Sequence, residues 1–123
     1  MSTIRASGRI QLIGPTASPY TQKMVALLRY RHIPYSIVWG DPDEILDAAR
    51  IEKPKPALMP TFLFEEKGVL KAMIDSTPIT RRLENMFGDR SALPNDPALA
   101  FVDYLIEDFA DEWCTKYMFH YRW

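Results

Sequence analysis

Three short segments of the sequence place hydroxyl or carboxylate side chains beside a proline where an element of secondary structure begins. Ser18 stands before one proline, Asp75 and Ser76 stand before another, and Pro60 precedes a β-branched and aromatic run. At a helix N-terminus, a side-chain hydroxyl lies beside backbone N–H groups that have no intrahelical partner and beside the positive end of the helix dipole. The two helix starts are therefore candidate anion sites, and a thiolate is one anion that such a site stabilises.

Hydrophobic periodicity and capping residues predict the elements that position these segments. The predicted elements are strands at 10–14, 35–39, 61–64 and 69–74 and helices from Ser18 to about Arg31, from Pro42 until a break at 53–56, from a start at 75–78 until Gly88, and from 97 to about 120. In detail, we expect Pro34 to end the first helix, Gly88 to end the third, and residues 65–68 to form a hairpin turn. If residues 75–78 serve only as a helix start, Thr77 would be the N-cap of the third helix.

The order of these elements predicts an α/β fold. A strand–helix–strand unit requires a parallel pair of strands, and the hairpin that follows adds antiparallel strands. The result is a thioredoxin-like β-α-β-α-β-β-α domain over residues 10–88, with a four-stranded mixed sheet, followed by one long helix. We expect residues 1–9 to be flexible and residues 89–96 to form a linker to the helix at 97–123.

Composition narrows the function classes. The 123 residues include 15 basic and 16 acidic side chains and carry a formal net charge of -1, so no basic excess favours nucleic-acid binding. A single cysteine, Cys114, excludes an internal disulfide, and two histidines leave no metal motif. No apolar run reaches the length of a membrane span. We expect a cytoplasmic protein without metal, nucleic-acid or membrane partners.

Several motifs together resemble the amino-terminal domain of the glutathione S-transferase superfamily. They are Ser-Pro-Tyr-Thr at 18–21, Leu-Met-Pro-Thr at 58–61, Ile-Asp-Ser at 74–76, and the linker Leu-Pro-Asn-Asp-Pro at 93–97. The resemblance covers residues 10–88, and residues 97–123 resemble the first helix of the family's helical second domain. We accordingly expect the second domain to be truncated here and its exposed apolar helix to be covered in a homodimer or by another chain.

The resemblance implies a role for each motif. Ser18 would donate to the thiol sulfur of glutathione and activate it, with Thr16 or Tyr20 as alternative hydroxyls. Met59, before a cis Pro60, would pair with the cysteinyl backbone of glutathione through its own backbone. The remaining implied glutathione-binding residues are Asp75 and Ser76 at the γ-glutamyl end and Lys53 and Lys55 at the glycyl carboxylate.

Each of these residues also has a purely structural interpretation. Ser18 could serve only as an N-cap, Pro60 only as the start of a strand, and the pair at 75–76 only as a helix start. The two lysines could be solvated loop residues. The family's usual Asn-Pro-x-x-x-x-Val-Pro motif before the third strand is absent, and Lys-Pro-Lys-Pro-Ala-Leu-Met-Pro at 53–60 stands in its place.

The function implied by the resemblance is glutathione transfer. The protein would bind glutathione as a substrate and activate its thiol for attack on a small electrophilic acceptor. The alternative is a non-catalytic thioredoxin-like binding module that has lost this chemistry. A dithiol oxidoreductase is disfavoured, because Ser18 and Thr21 stand where a glutaredoxin-like Cys-Pro-Tyr-Cys motif has its thiols.

Overall fold

A computed structural model of the chain describes Ile4 and residues 10–122. The elements are β1 (Ile10–Gly14), α1 (Pro19–Tyr30), β2 (Tyr35–Trp39), α2 (Pro42–Ala49), β3 (Thr61–Glu66), β4 (Val69–Met73), α3 (Ser76–Met86), α4 (Pro97–Phe109), a π-helical turn (Ala110–Cys114) and α5 (Thr115–Arg122). The chain forms two compact units, residues 1–90 and 91–123. Apart from Ile4, the predicted flexible segment 1–9 lies outside the described residues.

The first unit contains a four-stranded mixed sheet in the order β2-β1-β3-β4. β1 pairs with β2 in parallel and with β3 antiparallel, and β3 pairs with β4 antiparallel. This order, with helices after β1, β2 and β4, confirms the predicted thioredoxin-like fold.

Two hydrophobic clusters pack on opposite faces of the sheet, because successive strand residues point to opposite faces. Leu12 and Phe62 belong to the cluster that includes residues of α1 and α3, whereas their neighbours Ile13 and Leu63 pack with Leu46 of α2. Ile4 also packs against this second cluster. The two clusters fix α1 and α3 on one face of the sheet.

The hairpin between β3 and β4 differs from the prediction by two residues. Glu65 and Glu66 belong to β3, where they pair with Leu70 and Val69, so the predicted turn at 65–68 is wrong. The loop consists of Lys67 and Gly68, at φ +52° and +79°. A two-residue loop with positive φ at both positions matches the right-handed twist of paired strands, which explains the longer ladder.

α1 and α3 end close to the predicted positions, near Arg31 and before Gly88, but the residues that stop these helices differ from the predictions. α1 ends at Tyr30, four residues before Pro34, because His32 adopts φ +55° and the Ile33 amide donates to the Leu28 carbonyl. This arrangement is a Schellman motif. α3 ends at Met86 with an extended residue at its C-terminus, and Gly88 is not in the left-handed conformation that the predicted stop required.

The second unit is one continuous helical segment. α4, the π-helical turn and α5 run without a break from Pro97 to Arg122, in agreement with the predicted long helix. Asp96 caps it by accepting a hydrogen bond from the Leu99 amide at 2.9 Å. No residue of α4 is buried. Among the described helices, none combines the length and apolarity needed to cross a membrane.

Candidate functional site

The strand register brings the three candidate segments to one end of the sheet. Ile13, at the end of β1, lies opposite Thr61, at the start of β3, and Phe62 lies opposite Met73, at the end of β4. The segments that contain Ser18, Pro60 and Asp75 adjoin these strand ends directly. Asp75 and Ser76 therefore lie at the same sheet end as Ser18.

Gly14 forms the junction between two of these segments. A Cβ added at Gly14 would lie 3.3 Å from Pro60 Cβ and would overlap Thr21 Oγ1. The first turn of α1 and the loop before β3 thus both approach the end of β1 closely. The absence of a side chain at Gly14 makes this approach possible.

Ser18 is the N-cap of α1. Its Oγ accepts a hydrogen bond from the Thr21 amide at 3.2 Å, and the residue is only 7% exposed. A hydroxyl has two acceptor lone pairs and one proton, so accepting this bond leaves the proton available for another partner. Capping and ligand contact are therefore compatible roles for this side chain.

The other hydroxyl residues of this segment have different surroundings. Thr16 is exposed, and its carbonyl accepts a hydrogen bond from Gln22 Nε2 at 2.9 Å. Tyr20 is half-buried. Thr21 is fully buried, and its Oγ1 has no hydrogen-bond partner within the described part of the chain. Thr16 and Tyr20 both remain as alternatives to Ser18.

The loop before β3 contains two cis peptide bonds. Met59–Pro60 is cis, as predicted, and Lys55–Pro56 is a second cis bond that the sequence analysis did not identify. Met59 is 41% exposed, and among the described residues its backbone amide and carbonyl have no hydrogen-bond partner. These groups are available to an extended peptide-like ligand.

Asp75 is the N-cap of α3, whereas the purely structural interpretation of this helix start placed the cap at Thr77. Its Oδ1 accepts a hydrogen bond from the Thr77 amide at 3.3 Å, and α3 begins at Ser76. Pro78 fits the first turn because amides there have no intrahelical partner to lose. Asp75 has φ +74° and ψ 118°, a strained combination for a residue with a side chain.

Sequence reasoning missed Lys23 as a member of this site. Lys23 Nζ donates a hydrogen bond to Ser76 Oγ at 3.1 Å and so joins α1 to the first residue of α3. Ser76 is buried and Lys23 half-buried. Helical spacing places Lys23 on the same side of α1 as Pro19, a signal that could have identified it.

The two loop lysines are not brought into the cluster by any contact in the described residues. Lys53 Nζ lies 3.0 Å from Asp47 Oδ2, and this hydrogen bond raises the pKa of Lys53. Lys55 is exposed. Their predicted contact with a carboxylate stays a prediction. No group of three or more potential metal ligands occurs in the described part of the chain.

Two further grooves lie away from Ser18. One, of about 350 Å³, adjoins the β3–β4 hairpin and is lined by Phe64, Lys67 and Arg82 among others. The other, of about 380 Å³, adjoins the C-terminal ends of α1 and α3 and includes Arg31 and Phe87. Neither is lined by any of the residues that the motifs single out.

Comparison with known proteins identifies the family. The family model described as "Glutathione S-transferase, N-terminal domain" matches residues 12–91. A glutathione S-transferase from Methylobacterium radiotolerans, solved with glutathione sulfonate, is 26% identical over 87% of this chain and 49% of that chain, with a TM-score of 0.72. No match was found among curated proteins.

Two more distant structures share the fold. Maleylacetoacetate isomerase from Anaeromyxobacter dehalogenans, solved with bound glutathione, is 17% identical over 83% of this chain and 48% of that chain, with a TM-score of 0.67. A Tau class glutathione S-transferase from mango is 19% identical over 88% and 48%, also with a TM-score of 0.67. The chain thus spans about half the length of these solved structures.

The sheet order defines a thioredoxin-like domain. One end of its sheet brings together the capped start of α1, the loop with the cis Met59–Pro60 bond and the strained start of α3. The family match covers the sheet from the third residue of β1 onward and all three of its helices. The chain belongs to the glutathione S-transferase family, and residues 12–91 correspond to its N-terminal domain.

Proposed function

We propose that this chain binds glutathione at the Ser18 end of the sheet and activates its thiol for transfer to an electrophilic acceptor. The observation that carries the proposal is the convergence of three segments at one sheet end, with Ser18 Oγ held at the N-terminus of α1. The positive end of a helix and a hydroxyl donor both favour a thiolate over a thiol.

The surroundings of Ser18 support the individual contacts. The unpaired backbone groups of Met59 suit the cysteinyl backbone of glutathione. Asp75 supplies a carboxylate for the γ-glutamyl ammonium, and strain of the kind seen at Asp75 clusters at ligand sites. The Methylobacterium relative was solved with glutathione sulfonate, which is consistent with this ligand class.

The first experiment measures the thiol itself. We expect glutathione to bind, and the thiolate absorbance of the bound ligand to report a pKa below the free value of about 8.5. Ser18→Ala removes the hydroxyl donor, so the pKa of bound glutathione should rise by about one unit while binding persists. Ser36→Ala, on β2, is the matched control and should leave both quantities unchanged.

The other outcomes are informative. Absence of glutathione binding would contradict the proposal. Binding with an unshifted thiol pKa would favour the non-catalytic binding module instead. A normal shift in Ser18→Ala would transfer the role of donor to Thr16 or Tyr20, which Thr16→Val and Tyr20→Phe would then distinguish.

A second experiment separates ligand contact from capping at Asp75. Asp75→Asn keeps a side chain that caps helices and tolerates positive φ, but it removes the negative charge. We expect glutathione to bind about tenfold more weakly to this variant, with little change in the free energy of unfolding. Unchanged affinity, measured by calorimetric titration, would show that Asp75 only caps α3.

A further inference from the structure

The groove at the C-terminal ends of α1 and α3 carries an excess of positive charge. Among the described residues that line it, Arg31, Arg90 and His32 bear basic side chains, and Asp89 bears the one acidic side chain. Two guanidinium groups therefore stand against one carboxylate, although the whole chain has a formal net charge of -1. The volume of about 380 Å³ is within the range of sites that bind small molecules.

Arg31 lies at the floor of this groove, and its side chain is fully buried. Its Nε and Nη2 atoms donate to carbonyls of the chain that follows α3. Nη1 has no hydrogen-bond partner within the described part of the chain, and Glu84 Oε1 lies 3.3 Å away without the alignment of a hydrogen bond. A buried donor without an acceptor costs free energy, so an oxyanion in the groove would supply an acceptor that Nη1 lacks.

Arg90 contributes a second guanidinium at the rim of the groove. Its Nε donates to the Tyr30 carbonyl at 2.6 Å, and its Cζ lies 5.0 Å from the centre of the Tyr30 ring. These two contacts hold the guanidinium in place. Among the described residues, its two Nη atoms have no hydrogen-bond partner. A guanidinium presented in this way can donate two parallel hydrogen bonds to the oxygens of one anion.

The C-terminal end of α1 does not oppose an anion here as a free helix end would. A helix end carries partial negative charge because its last carbonyls have no intrahelical partner. In α1, the carbonyls of residues 27–29 accept hydrogen bonds from the amides of residues 31–33, and the Tyr30 carbonyl accepts from Arg90. All four terminal carbonyls are therefore occupied, and the two guanidinium groups determine the charge of the groove.

We propose that this groove binds a small phosphate monoester, at a site separate from the candidate thiol site. A phosphate monoester carries a charge of about −1.5 to −2 near pH 7, which two guanidinium groups match better than they match a single carboxylate. Ile33 and Phe87 also line the groove and give the organic group of the ester an apolar contact. The inference does not rest on the proposed function.

The test is an NMR titration of the ¹⁵N-labelled chain with phenyl phosphate, inorganic phosphate and benzoate at constant ionic strength. We expect phenyl phosphate to shift the amide signals of Ile33 and Gly88, which line the groove. It should bind at least about fivefold more tightly than the other two anions, because inorganic phosphate lacks the apolar group and benzoate lacks the second negative charge.

Charge variants test the arginine at the rim. Arg90→Met should weaken phenyl phosphate binding by about tenfold, because a charge-assisted contact is lost. Asp89→Asn removes the negative charge beside the site and should strengthen binding by about threefold, a change that partial unfolding cannot produce. Arg29→Met is the matched control: it removes an exposed arginine of α1 that does not line the groove, so the affinity should not change.

The remaining outcomes distinguish this groove from other anion sites. Signal shifts confined to the residues around Ser18, equal affinity for phenyl phosphate and inorganic phosphate, or equal weakening by Arg90→Met and Arg29→Met would each overturn the proposal. Tighter binding by Asp89→Asn together with weaker binding by Arg90→Met supports it. None of these results bears on glutathione binding, which the Ser18 and Asp75 variants test separately.

Discussion

The first turn of α1 contains one hydroxyl that is hydrogen-bonded and one that is not. Ser18 Oγ accepts from the Thr21 amide, whereas Thr21 Oγ1 is buried without a partner in the described residues. A buried hydroxyl that loses its bonds to water and gains none costs free energy. Thr21 is therefore a local source of instability beside the candidate thiol site.

We predict that Thr21→Val raises the free energy of unfolding by about 1 kcal/mol, because valine has the same shape and removes the unsatisfied oxygen. Thr80→Val is the matched control: Thr80 Oγ1 donates to the Ser76 carbonyl at 2.7 Å, so its loss should be destabilising. Urea denaturation measures both variants. Destabilisation by Thr21→Val would mean that a bound water or other partner satisfies the hydroxyl.

The Glu66 carboxylate makes the hairpin sensitive to acid. Hydrogen bonds from Lys71, at 2.8 Å, and Arg82, at 2.7 Å, lower the pKa of Glu66 from 4.5 to about 2. A carboxylate with a lowered pKa in the folded state stabilises the fold above its unfolded pKa, and this contribution is lost as the pH falls. The relevant window is therefore between pH 4.5 and about pH 2.

We predict that the free energy of unfolding of Glu66→Gln falls less steeply with pH in this window than that of the unmodified chain. The substitution should have a smaller effect after salt is added, because the ion pairs of Glu66 are partly exposed and salt screens them. The measurement is urea denaturation as a function of pH. Glu65→Gln, one residue earlier on the same strand, should retain the pH dependence of the unmodified chain. Identical pH profiles for the two variants would contradict the assignment.

At the scale of elements, Gly14 couples β1, α1 and the loop before β3. An alanine Cβ at this position would overlap Thr21 Oγ1 and press on Pro60. We predict that Gly14→Ala lowers the free energy of unfolding by about 2 kcal/mol through overpacking, and that Thr21→Ala relieves part of this cost. A double-mutant cycle in urea measures the coupling. Strict additivity would show that the added methyl is accommodated elsewhere.

A buried arginine joins the C-terminal ends of α1 and α3. The Arg31 guanidinium donates to the carbonyls of Phe87, at 2.6 Å, of Asp89 and of Arg90. Arg31 Nη1 also lies 3.3 Å from Glu84 Oε1, an ion-pair distance, although it is not aligned for a hydrogen bond. Arg31 thus satisfies carbonyls in the chain that follows α3, where no glycine cap is formed.

We predict that Arg31→Met lowers the free energy of unfolding by about 3 kcal/mol, because it removes the buried guanidinium that donates to these three carbonyls. Arg29→Met, which loses only an exposed hydrogen bond to Tyr35, should change stability by less than about 0.5 kcal/mol. Equal losses of unfolding free energy in the two variants would contradict a stabilising role for the buried contacts of Arg31.

The predictable part of the fold is the part encoded by local signals. Prolines after capping residues predicted the starts of α1, α2 and α4, and short apolar, β-branched and aromatic runs predicted the strands. The misses depended on other information. The hairpin register depends on positive φ at Lys67, and the end of α3 depends on hydrogen bonds from Arg31, which lies far away in sequence.

At the scale of the whole molecule, the candidate site also contains residues that local signals predict and residues that they do not. Ser18, Pro60 and Asp75 were predictable because each belongs to a short motif, and topology brings their segments to one sheet end. Lys23 was not identified, because its hydrogen bond to Ser76 joins two helices that are distant in sequence, and no local pattern records such a contact. Motifs predict which segments lie close together, whereas side-chain contacts between helices become known only from the three-dimensional structure.

The helical unit, residues 91–123, presents many large apolar side chains to solvent. The most exposed of them is Tyr121, at 83%, and Leu99, Phe101, Ile106 and Phe119 are each 60–63% exposed. Each such side chain contributes on the order of 1.5–3 kcal/mol when it is fully buried. A surface of this kind favours association with another protein surface.

We predict that the chain self-associates as its concentration rises, and that the double variant Ile106→Ser, Phe109→Ser weakens this association at least about tenfold, since it removes two large apolar side chains from α4. Val69→Ser, an equally exposed position on β4, is the control and should leave the association constant unchanged. Sedimentation equilibrium over a concentration series measures all three proteins. A chain that stays monomeric throughout would contradict the prediction, and equal weakening by the β4 control would place the contact on the sheet rather than on α4.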